Sequence, residues 1–293
     1  MSADPDAGRE PSFRPPALAC DAHFHVFGPA EHYPYASALR YQPPFAPLDA
    51  YMALARHIGF ERFVFVQPSA YGLDNSCMLD AMRQVGTGRC RGIVDLDETT
   101  ISRTTLKEWN RLGVRGVRVN VSPIQPPTPG LAASMRLRIK TLGALMADWG
   151  WHLDFLTPGW LIRELLPDLR ALPADFTVAH LGLFPAKDGP EQPGFQEFLG
   201  LVREGHCWVK LTGIYRMSTA PDFADVAPMA RALIATRPDR IIWGSDYPHL
   251  SFHDKVGSIQ LFNLLGEWAP DDETRRRILV DNPRALFGFV SGG

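Results

Sequence analysis

The sequence predicts an α/β protein built as a single (β/α)8 barrel, the TIM-barrel fold, and two observations carry that prediction. Short apolar runs alternate with amphipathic stretches along the chain, the pattern of parallel strands joined by crossover helices. Polar residues able to do chemistry stand at the ends of the first and last runs, where a (β/α)8 barrel builds its active site. These are Cys20-Asp21-Ala22-His23-Phe24-His25 and Ile241-Ile242-Trp243-Gly244-Ser245-Asp246.

Taken in order, the first run, Ala19–Phe27, is a strand. Residues two apart in a strand share a face, so His23 and His25 project together and Phe24 points the other way. Leu48–Ile58 is the first amphipathic helix. Phe63–Gln67 and Gly92–Leu96 are the second and third strands, with the helix Asn75–Val85 between them. Helix Ile101–Arg111 leads to strand Val117–Val121, and helix Ser134–Asp148 to strand His152–Leu156. Helix Leu161–Ala171, strand Thr177–His180, helix Phe195–Arg203 and strand Trp208–Thr212 continue the alternation. Helix Phe223–Thr236 and strand Ile241–Ser245 complete it, and Glu273–Val280 closes the set as the eighth helix. Three connections, Gly28–Pro47, Ser122–Gly130 and Phe184–Gly194, are too long to be turns. They are lids over the active face or rigid proline-rich surface loops.

No shift in composition marks a second domain. Residues 18–293 are expected to form one catalytic barrel behind a flexible leader, residues 1–17, which is polar, holds four prolines and lacks the apolar core of a signal peptide. A hydrophobic content of 45% supports a sizeable core, and the formal net charge of −2 favours neither nucleic acid nor an anionic membrane as partner. No apolar stretch approaches the roughly 20 residues of a spanning helix. Cys20, Cys77, Cys90 and Cys207 lack metal-knuckle or disulfide-framework spacing and read as buried, reduced thiols of a cytoplasmic protein. Homo-oligomer formation stays open.

His23 and His25, on one face at a strand end, suit metal ligation or polarisation of a carbonyl. His180 ends its strand in the same way and is either functional or structural. Asp246 follows an apolar run, and a buried carboxylate there is costly unless a cation, metal or donor meets it. His249 lines the mouth or caps the following helix. Asp154 lies inside an apolar strand, facing the interior or bonded to a neighbouring arginine. Arg118, also inside a strand, needs a partner, which a substrate carboxylate held by both arms would supply. Arg216 follows the seventh strand. No glycine-rich nucleotide loop and no nucleophile elbow is present.

The His-x-His pair, the later histidine and the final aspartate resemble the amidohydrolase superfamily. The segments 20–29, 113–120, 150–152, 243–249 and 279–283 resemble its branch of 2-pyrone-4,6-dicarboxylate lactonase, the amidohydrolase 2 family, which also holds sugar-acid lactonases, sulfomuconolactone hydrolase and galactarolactone isomerase. The resemblance implies His23, His25, His180 and Asp246 as the catalytic set, with the aspartate as general base on water. It implies either no metal or one divalent ion, zinc foremost, on those four residues, because the bridging lysine of binuclear relatives has no counterpart here. Tyr41, Arg118 and Arg216 match substrate-binding positions, and His249 and Asp154 join them as candidates. Leu183 and Leu156 replace an arginine and a tyrosine of the lactonase, which counts against the pyrone dicarboxylate as substrate. The expected activity is ring opening of a small carboxylated lactone by water. The alternatives are a lactone isomerase, a metal-dependent decarboxylase, or a barrel that only binds.

Overall fold

The computed structural model describes residues 5–39 and 41–290. Eight strands follow one another in sheet order: β1 (Cys20–Phe24), β2 (Arg62–Val66), β3 (Cys90–Val94), β4 (Val114–Asn120), β5 (His152–Leu156), β6 (Phe176–Val178), β7 (Cys207–Leu211) and β8 (Ile241–Trp243). Helices α1 (Leu48–Ile58), α2 (Ser76–Val85), α3 (Arg103–Arg111), α4 (Leu131–Trp149), α5 (Gly159–Arg170), α6 (Pro193–Arg203) and α7 (Ala227–Thr236) alternate with them, and α8 (Ser258–Trp268) follows β8. This is the predicted (β/α)8 architecture. Most strands are buried along their whole length, which is why they read as apolar runs rather than as alternating ones.

Contacts gather the chain into two compact units. One holds the residues up to Asp95, with 111–114 and those from Trp243 onward; the other holds 96–110 and 115–242. In the first unit β1, β2 and β3 pair in parallel, and the β1–β2 register shifts between Asp21 and Phe24. Phe24 stacks on Tyr51 of α1 with ring centroids 3.7 Å apart. In the second unit β4, β5, β6 and β7 pair in parallel, with Arg118, Asp154 and Thr177 level with one another. The four cysteines are buried and free. Among the described residues no helix is long and apolar enough to cross a membrane.

The eighth helix stands earlier than the sequence suggests. Glu273–Val280 falls on the short helix α9 (Asp272–Arg276) and the π turn Arg277–Asp281, whereas the helix after β8 is α8. The residue before α8, Gly257, offers no side-chain cap. Asp6 supplies it instead, its carboxylate accepting from Ile259 N at 2.9 Å and Gln260 N at 3.1 Å. Of the expected flexible leader, residues 1–4 lie outside the described residues. The remainder meets α8: Phe13 stacks on Phe262 at 4.3 Å, and Ser12 N donates to Asn263 Oδ1 at 2.7 Å.

Candidate functional site

In the first unit the site grows from the end of β1 and the segment after β8. The β1–β2 register shift between Asp21 and Phe24 takes in His23 and directly precedes His25, and both rings stay on the same side, with centroids 5.1 Å apart and nearly perpendicular. β8 stops at Trp243, so Asp246 sits beyond the strand, in the left-handed region at φ 57°. A non-glycine residue there costs about 1–2 kcal/mol. Backbone bonds hold it: Asp246 N donates to His23 O, and His25 N to Tyr247 O, both at 2.8 Å. Gly244 makes the close approach feasible, because a Cβ at that position would stand 2.6 Å from His23 Cβ.

These constraints bring His23 Nε2 to 3.4 Å and His25 Nε2 to 3.5 Å from the same carboxylate oxygen, Asp246 Oδ1, all three side chains being buried. His25 Nδ1 lies 2.7 Å from Val66 O. A carbonyl only accepts, so Nδ1 carries a proton and Nε2 is the atom turned toward Asp246. Two lone pairs facing each other repel unless a proton or a cation stands between them. The 3.4–3.5 Å separations are long for hydrogen bonds and close to the roughly 3.3–3.4 Å between two ligands of a tetrahedral ion bound at about 2.0–2.1 Å. The second bond of His25, to a backbone carbonyl, is the kind that orients metal-binding imidazoles. The donor set therefore fits a divalent ion.

Beneath this pair lies Asp21, fully buried. Its Oδ1 accepts from His23 N at 3.1 Å and Ser245 N at 3.0 Å, and its Oδ2 from Tyr51 Oη at 2.9 Å. Burial pushes its carboxyl up to about 6, against the lowering effect of these hydrogen bonds. Of the other candidates in this unit, Tyr41 sits in the long loop after β1 with its hydroxyl 3.5 Å from Ser69 Oγ. His249, at φ 57°, places Nε2 3.2 Å from Ser258 Oγ at the start of α8. A cavity of about 670 Å³ is bordered by Tyr247, His249, Phe45, His57 and residues 5–10; its lining does not include His23, His25 or Asp246.

In the second unit β6 ends at Val178, two residues short of the predicted strand end, because His180 turns to φ 54°. His180 is buried and lies against Gly213, where a Cβ would stand 2.2 Å from His180 Nδ1. Gly213 is itself at φ 57°, so glycine is required there twice over. Arg216 closes the turn after β7, its guanidinium 5.2 Å from the Tyr215 ring centre. Arg118 and Asp154 meet inside the sheet: Arg118 Nε is 3.6 Å from Asp154 Oδ2, and Lys210 Nζ is 2.5 Å from Oδ1. Thr177 Oγ1 also donates to Oδ1 at 2.5 Å. His152, one strand position pair before Asp154, is pushed down to about 4 by burial first and by the Lys210 charge second. Lys210 is thus a buried, salt-bridged lysine. Its place inside an apolar run, like that of Asp154, was the signal for a buried pair.

A (β/α)8 barrel that sets imidazoles and a carboxylate just beyond its strand ends has the site placement of the barrel enzymes. Residues 20–289 match the Amidohydrolase family, and the chain belongs to it. It is 39% identical to a 4-sulfomuconolactone hydrolase of Hydrogenophaga intermedia, over 95% of this chain and 91% of that protein. It is 34% identical to a 2-pyrone-4,6-dicarboxylate hydrolase of Comamonas testosteroni, over 95% of this chain and 92% of that one. A solved structure from Pseudomonas putida, provisionally described as a 2-pyrone-4,6-dicarboxylic acid hydrolase, superposes with a TM-score of 0.80 at 35% identity, covering 94% and 99% of the two chains.

Proposed function

We propose that this protein is a lactonase that opens the ring of a small carboxylated lactone with water. The carrying observation is the buried Asp246 carboxylate held 3.4 and 3.5 Å from the His23 and His25 nitrogens, in a chain whose relatives include a 4-sulfomuconolactone hydrolase and a 2-pyrone-4,6-dicarboxylate hydrolase. Asp246 takes a proton from water as the oxygen adds to the lactone carbonyl. His23 and His180 stabilise the resulting oxyanion, a contribution on the order of 3 kcal/mol per well-placed donor, while His25 faces Asp246 and orients it. Collapse breaks the ring C–O bond, and the proton held on Asp246 passes to the departing oxygen. The product is a ring-opened carboxylate, and one proton per lactone enters the solution near neutral pH.

Arg118, Arg216 and Tyr41 are assigned to the substrate's carboxylate. Asp154 serves them indirectly by fixing the Nε edge of Arg118, and His249 holds the start of α8. His23, His25, His180 and Asp246 would be the residues to hold one metal ion. Zinc is the ion this nitrogen-rich set favours, and when bound it would supply Lewis acidity toward the carbonyl oxygen.

The test is a panel of carboxylated lactones in weak buffer, with an indicator dye following acid. Ring hydrolysis releases one equivalent per lactone consumed. Consumption without acid would mean isomerisation, and no consumption across muconolactone-type, pyrone and sugar-acid lactones would overturn the assignment. Elemental analysis of the purified protein reads the metal independently: about one zinc per chain is expected, and a metal-free enzyme at full activity would overturn that part.

A further inference from the structure

We propose that Asp21 is a positioning residue for ring opening: its buried carboxylate, steadied by Tyr51, sets where Asp246 stands against His23 and His25. The inference rests on Asp246 being the base.

Asp246 cannot be placed by strand pairing, because β8 ends at Trp243 and the chain then turns through a left-handed residue. On the other side, the β1 ladder is interrupted between Asp21 and Phe24, so the N–H of His23 needs an acceptor outside the ladder. One oxygen of Asp21 answers both needs, accepting from His23 N at 3.1 Å and from Ser245 N at 3.0 Å. It therefore ties the residue just before Asp246 to the first histidine of the pair. The other oxygen is fixed by Tyr51 Oη at 2.9 Å, and Tyr51 is in turn stacked on Phe24 of the same strand. Ser245 passes the restraint on, its Oγ accepting from Tyr247 N at 3.1 Å. Asp21 lies two residues from His23, and its bonds go to the backbone of His23 and Ser245, to the Ser245 side chain and to Tyr51. Its role is to hold the frame on which Asp246 is presented.

The experiment compares Asp21→Ala with Asp21→Asn. Asparagine keeps an oxygen for the two backbone donors, and its amide can donate to Tyr51. Alanine keeps neither. With the lactone that the wild type opens, Asp21→Ala is expected to lower kcat on the order of 100-fold, the cost of misplacing a reacting group by about 1 Å, with KM within about threefold. Asp21→Asn is expected to recover kcat to within about tenfold of wild type. A wild-type kcat in the alanine variant, or an equal loss in both, overturns the proposal. If the alanine variant does not fold, Tyr51→Phe takes its place: a fall in kcat of about threefold to tenfold at unchanged KM is expected, and no change overturns it. Crystal structures separate this claim from the assignment of function. Displacement of Asp246 from His25 in the alanine variant supports the proposal and an unmoved Asp246 overturns it, even if the wild type opens no lactone.

Discussion

Replacing Asp154 with asparagine is expected to cost about 3–5 kcal/mol of folding stability. The side chain is 0% exposed; Lys210 Nζ, on a side chain also 0% exposed, stands 2.5 Å from one oxygen, and Arg118 Nε stands 3.6 Å from the other. Asparagine keeps the shape and an acceptor for Thr177, but removes the negative charge that two buried cations share. An ammonium left in that setting either pays for its lost hydration or sheds its proton. For 293 residues, an unfolding entropy of about 2.1 cal/mol/K per residue gives about 0.6 kcal/mol per kelvin, so the midpoint should fall by about 5–8 °C. Thermal melts of Asp154→Asn, Lys210→Met and the double variant test this. In the double variant the group keeps one cation instead of two, and the loss should be smaller than for Asp154→Asn alone by at least about 1 kcal/mol. A single-variant loss under about 1 kcal/mol, or a double variant that loses the sum of the two, would refute the reasoning.

Asp246→Asn should lower kcat by about 10²–10⁴, the usual share of a general base, at an unchanged melting point; near-normal turnover would remove Asp246 from that role. Gly213→Ala forces a Cβ to 2.2 Å from His180 Nδ1 at φ 57°, so activity should fall sharply with a stability loss of about 1–3 kcal/mol, and a wild-type kcat would show that His180 is dispensable. The third prediction concerns pH. Asp21 is raised to about 6, so the folded chain binds that proton more tightly than the unfolded one; the stability it contributes is present below the unfolded pKa and lost as pH rises through 6. His152 is lowered to about 4, so the unfolded chain binds that proton more tightly and stability rises with pH from about 4 to 6.5. The two trends oppose each other between pH 4 and 6. Asp21→Asn removes the falling one, and its stability relative to wild type, read by urea unfolding, should gain about 2–3 kcal/mol from pH 4 to 6.5. A difference that does not vary with pH would count against a raised Asp21.

The barrel was legible because buried parallel strands leave apolar runs, and the His23–His25–Asp246 group because polar residues ending such runs are costly without a purpose. His180 and Asp246 were found as residues but misplaced as strand ends. Both adopt positive φ, which histidine and aspartate enter more often than most residues but too seldom for a sequence to announce. Helix α8 was missed for a different reason: its cap, Asp6, comes from the far end of the chain, and local caps are what a linear reading detects. The Arg118–Asp154–Lys210 group depends on the register of β4, β5, β6 and β7, which one sequence does not encode in any readable pattern. Tyr51 looked like part of an ordinary amphipathic helix, and its bond to Asp21 had no local signal.

The bonds joining His23 and His25 to Asp246 and Tyr247 also set a timetable. Asp246 is made 223 residues after His23 (246 minus 23), on the order of 10–45 s later at about 5–20 residues per second. Throughout that interval the nascent chain carries an imidazole pair without its acid, and a first strand whose Asp21 and His25 still lack their late partners. A chain cut short before Gly244 would keep both histidines and yet present β1 as an unfinished edge, the kind of surface that chaperones and proteases act on. The late segment that brings Asp246 to the histidine pair is also the one that gives β1 its missing partners, so a chain released before it lacks both.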